Sequence, residues 1–224
     1  MIKNITNLGD AAVYCDFGNK IDQETNLNVI EYFKNLRELK VKGITNITPS
    51  YNKLIVSFDP LVTNYENIKD KIIDLKSKKK QNQNNKLIKI PICIEEEFAL
   101  DIKRLSEKLK IENEQIYSSF LDKEYYCYMT GFIAGMPFLG DTKENIRLNR
   151  LETPRVKVPK GSIGITEQFC NIYTYESPGG WNIIGNTPVK VFDQSNQENP
   201  TLINPGDKVT FYKISKKEYQ NYNE

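Results

Sequence analysis

Thr153-Pro-Arg-Val-Lys-Val-Pro-Lys-Gly-Ser-Ile-Gly-Ile165, TPRVKVPKGSIGI, holds two short runs of strand-forming residues, VKV and IGI, broken by Pro159 and Gly161. Neither run is long enough for a helix, and the proline between them removes a backbone donor. The same texture extends in both directions. From Tyr125 onward, YYCYM, VKV, IGI, NIY, PVKVF and KVTFYKI alternate with Gly, Pro and Asp turns. Short strands at this spacing predict a closed barrel or a sandwich, and a barrel has the advantage of leaving no strand edge exposed.

Upstream of this region, Leu87 to Ile94 reads as a strand that ends at the acidic turn Glu95 to Glu97. Asp101 is placed to cap a helix carrying Leu105 and Leu109, and a second short helix carries Ile116 and Phe120. Lys76 to Lys86, KSKKKQNQNNK, is polar throughout and lacks apolar periodicity, which predicts a solvated linker between domains 1–75 and 87–224. A nucleic-acid patch would require interleaved aromatic residues, and this run has none.

The first 75 residues have a different rhythm. Ala11 to Phe17 is strand-like, while Leu27, Ile30, Phe33 and Leu36 recur at helical spacing behind a capping Asp22. Ile44 to Ile47 and Leu54 to Phe58 form two short strands about a polar turn at Ser50 to Lys53. Asn64 opens a second helix with Ile68, Ile72 and Leu75 on one face. The order β, α, β, β, α, with room for one more strand at the start, predicts two helices on one face of a small antiparallel sheet.

The composition suits a globular chain. It is 39% hydrophobic and 27% charged, with a formal net charge of +2 that gives no electrostatic argument for nucleic acid or an anionic membrane. The N-terminal residues lack a signal-peptide apolar core, and no apolar run approaches the ~20 residues of a membrane span. A cytoplasmic location is expected. Cys15, Cys93, Cys127 and Cys170 form no CxxC pair and are expected to be reduced, mostly buried thiols. The glycosylation sequons at Asn4 and Asn46 then read as chance matches.

The absence of histidine excludes more chemistry than any of these counts. It removes Ser-His-Asp and Cys-His nucleophilic mechanisms and all histidine metal ligation. No metal site is expected, and no catalytic residue is assigned.

Three segments have the character of a site. Gly135 and Gly140 share the spacing of a phosphate loop, but Asp141-Thr142 stands where Lys-Ser/Thr is required, so a Gly-rich bend is the better reading. Arg155 and Lys157 share one face of a strand, where they either grip an anion, Arg155 in bidentate fashion, or lie in solvent as ordinary cations. Ser177-Pro-Gly-Gly-Trp181 is either a hairpin turn before a core tryptophan or a ligand loop with an aromatic wall.

Read in order, the chain resembles the group of 5-oxoprolinase B subunits, also called the kinase-A-inhibitor (KipI) or allophanate hydrolase subunit 1 family. The residues that carry the resemblance begin with Leu8-Gly-Asp10, Phe17-Gly18, Ile90-Pro91, Glu97-Phe98 and Asp101. They are densest from Glu124-Tyr125 through Tyr128-Met129, Gly131-Phe132, Gly135 and Phe138-Leu-Gly140. They resume at Thr153-Pro-Arg155, Val158-Pro159, Gly161-Ser162, Ile172-Tyr173, Ser177 to Trp181, Ile184-Gly185, Thr187-Pro188, Phe192-Asp193 and Pro205-Gly-Asp207.

The resemblance implies an α+β chain, with a small ferredoxin-like α/β N-terminal domain followed by a cyclophilin-like β-barrel. It implies work in a 5-oxoprolinase complex beside two partners, a homologous barrel protein (the C subunit) and the A subunit. Together these open 5-oxo-L-proline to L-glutamate with ATP, and no activity is implied for this chain alone. Some members are instead described as inhibitors that bind a sensor histidine kinase, which is the alternative function. The substrate- or partner-binding residues implied are Tyr128, Gly131, Phe132, Gly135, Arg155, Gly161, Ser162, Ser177, Gly179, Gly180, Trp181 and Thr187. In that reading Arg155 holds an anionic group and Trp181 supplies an apolar wall. The chain departs from the family at Ala134 (usually Pro), Met136 (usually Phe), near Phe120 (usually His), Glu167 to Asn171 (a Gly-rich run) and Asn186 (an arginine).

Overall fold

A computed structural model describes residues 2–75 and 85–222; residues 76–84 of the expected linker lie outside them. The chain divides into two units, Met1–Asn84 and Asn85–Glu224.

In the first unit the elements run β1 (Asn4–Asn7), β2 (Ala12–Asp16), α1 (Gln23–Leu39), β3 (Ile44–Pro49), β4 (Lys53–Phe58) and α2 (Tyr65–Asp74). They build an antiparallel sheet in the order β1-β2-β4-β3. Strand alternation decides which face is covered: Val13, Cys15, Leu54, Val56 and Phe58 point one way and are buried. Against them pack Val29, Leu36, Ile68 and Ile72, so both helices cover the same face. The caps are those the sequence predicts. Asp22 accepts from the Thr25 N–H at 2.8 Å, and Asn64 accepts from the Asn67 N–H at 3.0 Å. A ferredoxin-like plan brings the strand beside β2 from after the second helix; here that strand is β1, which precedes it.

The second unit continues with β5 (Leu87–Cys93), α3 (Ile102–Leu109), α4 (Asn113–Leu121), β6 (Glu124–Thr130), β7 (Pro137–Gly140), β8 (Arg155–Val158), β9 (Ser162–Thr166), β10 (Phe169–Ile172), β11 (Ser177–Gly179), β12 (Asn182–Asn186), β13 (Lys208–Ile214) and α5 (Lys216–Gln220). Among the described residues seven strands close into a barrel in the order β10-β7-β6-β13-β5-β12-β9, parallel only between β5 and β13. β8 and β11 form a separate two-stranded ribbon. Ile90, Ile92, Leu139, Ile163, Ile165, Cys170, Ile172 and Val209 fill the interior, and helical residues Leu105, Ile116 and Phe120 extend that core. The interior is therefore packed with side chains, and a ligand must find its place outside it.

One expected strand is absent from the described residues. Pro188 to Phe192 forms only an isolated bridge, Phe192 with Thr201. Pro188 has no N–H to give a ladder, and the Val189 N–H turns back to the Thr187 hydroxyl at 3.3 Å. No helix of the described residues is long and apolar enough to cross a membrane.

All four cysteines are buried free thiols. Desolvation pushes the Cys15 thiol up to about 12 and raises Cys93, Cys127 and Cys170 as well. Since the thiolate is the reactive species, a chromogenic disulfide reagent at neutral pH is expected to label no thiol of the native protein on mixing and all four after unfolding. Rapid native labelling of any of them would contradict this burial.

Candidate functional site

Alternation along the barrel strands decides which residues face outward. On β10, Cys170 and Ile172 point into the core, so Asn171 between them points out. On β9, Ile163 and Ile165 point in and Gly164 points out. The pairing register places Asn171 beside Phe138 of β7 on one side and beside Gly164 on the other. Gly164 in turn pairs with Ile183 of β12. The outer face therefore carries the row Phe138, Asn171, Gly164, Ile183 across four strands. Gly164 is the low point of that row. A methyl added there would lie 2.9 Å from the Asn171 side-chain oxygen and 3.0 Å from the Trp181 Cβ.

The β8–β11 ribbon and the turn from Gly131 to Met136 stand over this row. Met136, Val158, Tyr173 and Ile183 form the apolar cluster beneath them. The space left between is a cavity of about 300 Å³ walled by Phe132, Met136, Phe138, Pro154 and Trp181, with Asn171 in its lining and Arg150 also on its wall. Trp181 meets Phe138 edge to face, with centroids 5.6 Å apart. Phe132 adopts a left-handed backbone (φ 67°) and is 71% exposed. An aromatic residue in that conformation is held there by its surroundings at a cost of about 1–3 kcal/mol.

The two glycines of SPGGW differ in their reasons. A methyl on Gly179 would come 2.2 Å from the Tyr173 hydroxyl, so the backbone needs glycine to pass that ring. A methyl on Gly180 would meet nothing closer than Pro154 at 3.5 Å. Gly180 lies on the cavity wall with room above it.

Of the residues the sequence singles out, Phe132, Gly179, Gly180 and Trp181 come together on this cavity. The others have different work. Tyr128 is buried, with its hydroxyl donating to the Asp141 carboxylate at 3.1 Å. Gly131 donates its N–H to the Met136 carbonyl at 3.0 Å, closing the turn that holds Phe132. Gly135, at φ 68°, lies against the Phe192 ring. Gly161, at φ 80°, is pressed against Asn186 and Thr187. Ser162 and Thr187 are buried beside it, the Thr187 N–H donating to the Gly161 carbonyl at 2.9 Å. Ser177 has a buried hydroxyl without a hydrogen-bond partner.

One expectation is corrected. The Arg155 fork is not available to an anionic ligand. Its Nη1 and Nη2 donate to Asp101 Oδ2 and Oδ1 at 2.9 and 2.7 Å. Asp101, in turn, occupies the N-cap position of α3 without capping it. Its carboxylate accepts from Arg155 and from the Ile183 N–H at 2.7 Å instead. The bidentate geometry predicted for Arg155 is present, but its partner is internal. Asn186 is likewise fully occupied. It donates to the Lys160 carbonyl at 2.9 Å and accepts from the Tyr219 hydroxyl at 2.9 Å, so it is a structural tie to α5 and not part of an anion site.

The sequence reading missed Arg150 and Asn171 as site residues. Asn171 is fully buried, and neither its side-chain nitrogen nor its oxygen has a hydrogen-bond partner. The other buried asparagines are all satisfied. Asn26 donates to the Ser50 and Tyr51 carbonyls, Asn52 to Lys20, Asn182 to Asn149 and Ile165, and Asn186 as above. Burial pushes the Tyr173 phenol above its ordinary range, partly offset by the nearby Asn171 side chain and Trp181 N–H. That approach falls short of a hydrogen bond to the Asn171 amide. The detectable signal was a polar residue between Cys170 and Ile172, two residues whose shared face is core.

Known proteins give this geometry its context. Residues 3–203 match the carboxyltransferase domain family, subdomain C and D. The chain is 31% identical to the 5-oxoprolinase B subunit of Bacillus subtilis (strain 168), over 98% of this chain and 96% of that protein. It is 32% identical to the 5-oxoprolinase B subunit of Haemophilus influenzae, over 93% of this chain and 96% of that one. Among solved structures it is similar to TTHA0988, with a TM-score of 0.83 and 25% identity over 92% of this chain, which spans 40% of that longer one. The chain belongs to the carboxyltransferase subdomain C and D family, in company with the B subunits of 5-oxoprolinase.

Proposed function

We propose that the chain is the B subunit of a cytoplasmic, ATP-dependent 5-oxoprolinase complex that converts 5-oxo-L-proline to L-glutamate. It works there together with a homologous barrel protein, the C subunit, and with the A subunit. The observation that carries this reading is near-full-length similarity to two proteins of that name. The cavity on the outer barrel face supports it, because about 300 Å³ with apolar walls and few polar groups suits a small organic acid.

ATP is assigned to the assembled complex and not to this chain. The Gly135 to Gly140 segment leads into strand β7 and not into a helix N-terminus, and it is followed by Asp141, whose carboxylate is taken by Tyr128. A phosphate cradle needs converging backbone N–H groups and a cation there, and the residues present do not fit one. The cavity's polar side chains are Asn171, Arg150 and Tyr173, and none of these is suited to act as a general base near neutral pH. The chain alone is therefore expected to show no turnover. Asn186, where the chain departs from the arginine of the family it resembles, is engaged inside the fold and lends the histidine-kinase alternative no surface.

The test mixes the purified chain with its candidate A and C partners, ATP and 5-oxo-L-proline, and measures glutamate. Glutamate is expected only from the full set. No glutamate from the full set, with each partner shown to be folded, would rule the proposal out.

A further inference from the structure

An amide that is buried with both its donor and its acceptor unused is an unfinished site. Asn171 is in that state at 0% exposure, on the wall of a cavity, in a unit where the other buried asparagines have partners. A primary carboxamide presents its N–H and C=O along one edge. Its complement is a group carrying C=O and N–H side by side in the opposite sense. An open-chain peptide is trans, with the two groups on opposite sides. A small ring forces the amide cis and brings them to the same edge, so a lactam can pair with Asn171 through two parallel hydrogen bonds where a peptide cannot.

The surroundings suit such a ring. Trp181 and Phe138 stand edge to face as an apolar corner for its methylenes. Gly164 is what lets the Asn171 oxygen and the Trp181 Cβ come this close, since a methyl there would lie 2.9 and 3.0 Å from them. Arg150, exposed and also on the cavity wall, takes part in no ion pair among the described residues, whereas Arg147 and Arg155 each have a carboxylate within 4.0 Å. A cation at that position supplies the counter-charge for an acid group on the ring.

We propose that this cavity binds a small lactam carboxylic acid, its cis-amide paired with the Asn171 carboxamide and its carboxylate facing Arg150. The proposal rests on the reading of the chain as part of an oxoprolinase and adds the place where the substrate's amide is held.

The experiment uses Trp181, the single tryptophan in the chain, as a reporter built into the cavity wall. The full chain is titrated with 5-oxo-L-proline, 2-pyrrolidinone (lactam without acid) and L-proline (acid without lactam carbonyl), following indole emission. Saturable change is expected with 5-oxo-L-proline, with about tenfold weaker binding of 2-pyrrolidinone and none of L-proline over the same range, because a charge-assisted contact and an unmet amide each cost about a factor of ten or more. Asn171→Leu is expected to weaken 5-oxo-L-proline at least about tenfold. Its melting temperature should hold or rise by about 2–4 °C, since a buried amide without partners is replaced by an apolar group of similar size. Arg150→Ala, an exposed change, is expected to weaken the acid about tenfold and leave 2-pyrrolidinone unaltered.

Absence of saturable binding, equal binding of L-proline, or wild-type affinity in both variants would overturn the site. The two levels separate cleanly. Glutamate formed by the complex at wild-type rate with Asn171→Leu overturns this site and leaves the place of the chain in the complex standing. Binding that follows the expected pattern, with no glutamate from the full set, supports the site and removes the chain from that complex.

Discussion

Replacing Asp101 by alanine is expected to destabilise the Asn85–Glu224 unit by about 3–5 kcal/mol, the range for removing one partner of a buried ion pair. The carboxylate is 4% exposed and its arginine partner 29%. Three donors converge on it: Nη1 and Nη2 of Arg155 and the backbone N–H of Ile183 at 2.7 Å. The Asp101 N–H also donates to the Ile183 carbonyl at 2.9 Å, so the residue joins the start of α3 to β12 through both main chain and side chain. Alanine would leave a guanidinium and an amide N–H without their acceptor in a place that water reaches poorly. The loss would also reach the cavity, since Arg155 begins β8, pairs there with Gly179 of β11, and Ile183 follows Trp181 by two residues. Urea unfolding followed by Trp181 emission reads the effect in the unit concerned. Arg155→Ala should fall in a similar range, and the double variant should cost clearly less than the sum, because both singles remove one interaction. A loss below about 1 kcal/mol in Asp101→Ala, or full additivity, would show the pair to be an ordinary surface contact.

That pair also shows where sequence reading works and where it stops. Asp22 and Asn64 were legible as caps because their acceptors and donors lie three residues apart, within one turn. Asp101 looks the same locally and does something else, because its partner is 54 residues away. Arg155 was recognised as a bidentate donor for the same reason that its acceptor could not be named. The strands were legible where alternation and breakers coincide: KVTFYKI is β13 from Lys208 to Ile214, and IGI lies within β9. PVKVF has the composition of a strand but begins on a proline and finds only a bridge. Asn171 shows the stricter limit. Its outward orientation follows from its neighbours on β10, but its place opposite Phe138 and Gly164 depends on the register of three strands, and register is set by the whole barrel.

The second large effect is expected at Phe120→Ala, a loss of about 3–5 kcal/mol in the same unit. Phe120 is fully buried, with its ring centroid 5.1 Å from Tyr125 and 4.8 Å from Phe211. The Tyr125 hydroxyl donates to the Phe120 carbonyl at 2.9 Å, which fixes the end of α4 against the first residues of β6. Removing the ring leaves a cavity among aromatic neighbours that are themselves held by strands β6 and β13, so collapse is restricted and the cost should sit high in the range. Phe120→Leu should recover most of it. The informative measurement is the pairing of this loss with ligand affinity. Phe120 belongs to the core of the barrel, whereas Asn171, Phe138 and Gly164 occupy its outer face. Under conditions where the variant is still folded, its affinity for 5-oxo-L-proline should therefore stay within about twofold of wild type, a change of under half a kcal/mol. Stability lost with affinity kept places the ligand outside the barrel, as the packed interior requires. Affinity lost in step with stability would mean instead that the barrel core shapes the binding site, and the outer-face assignment would have to be abandoned.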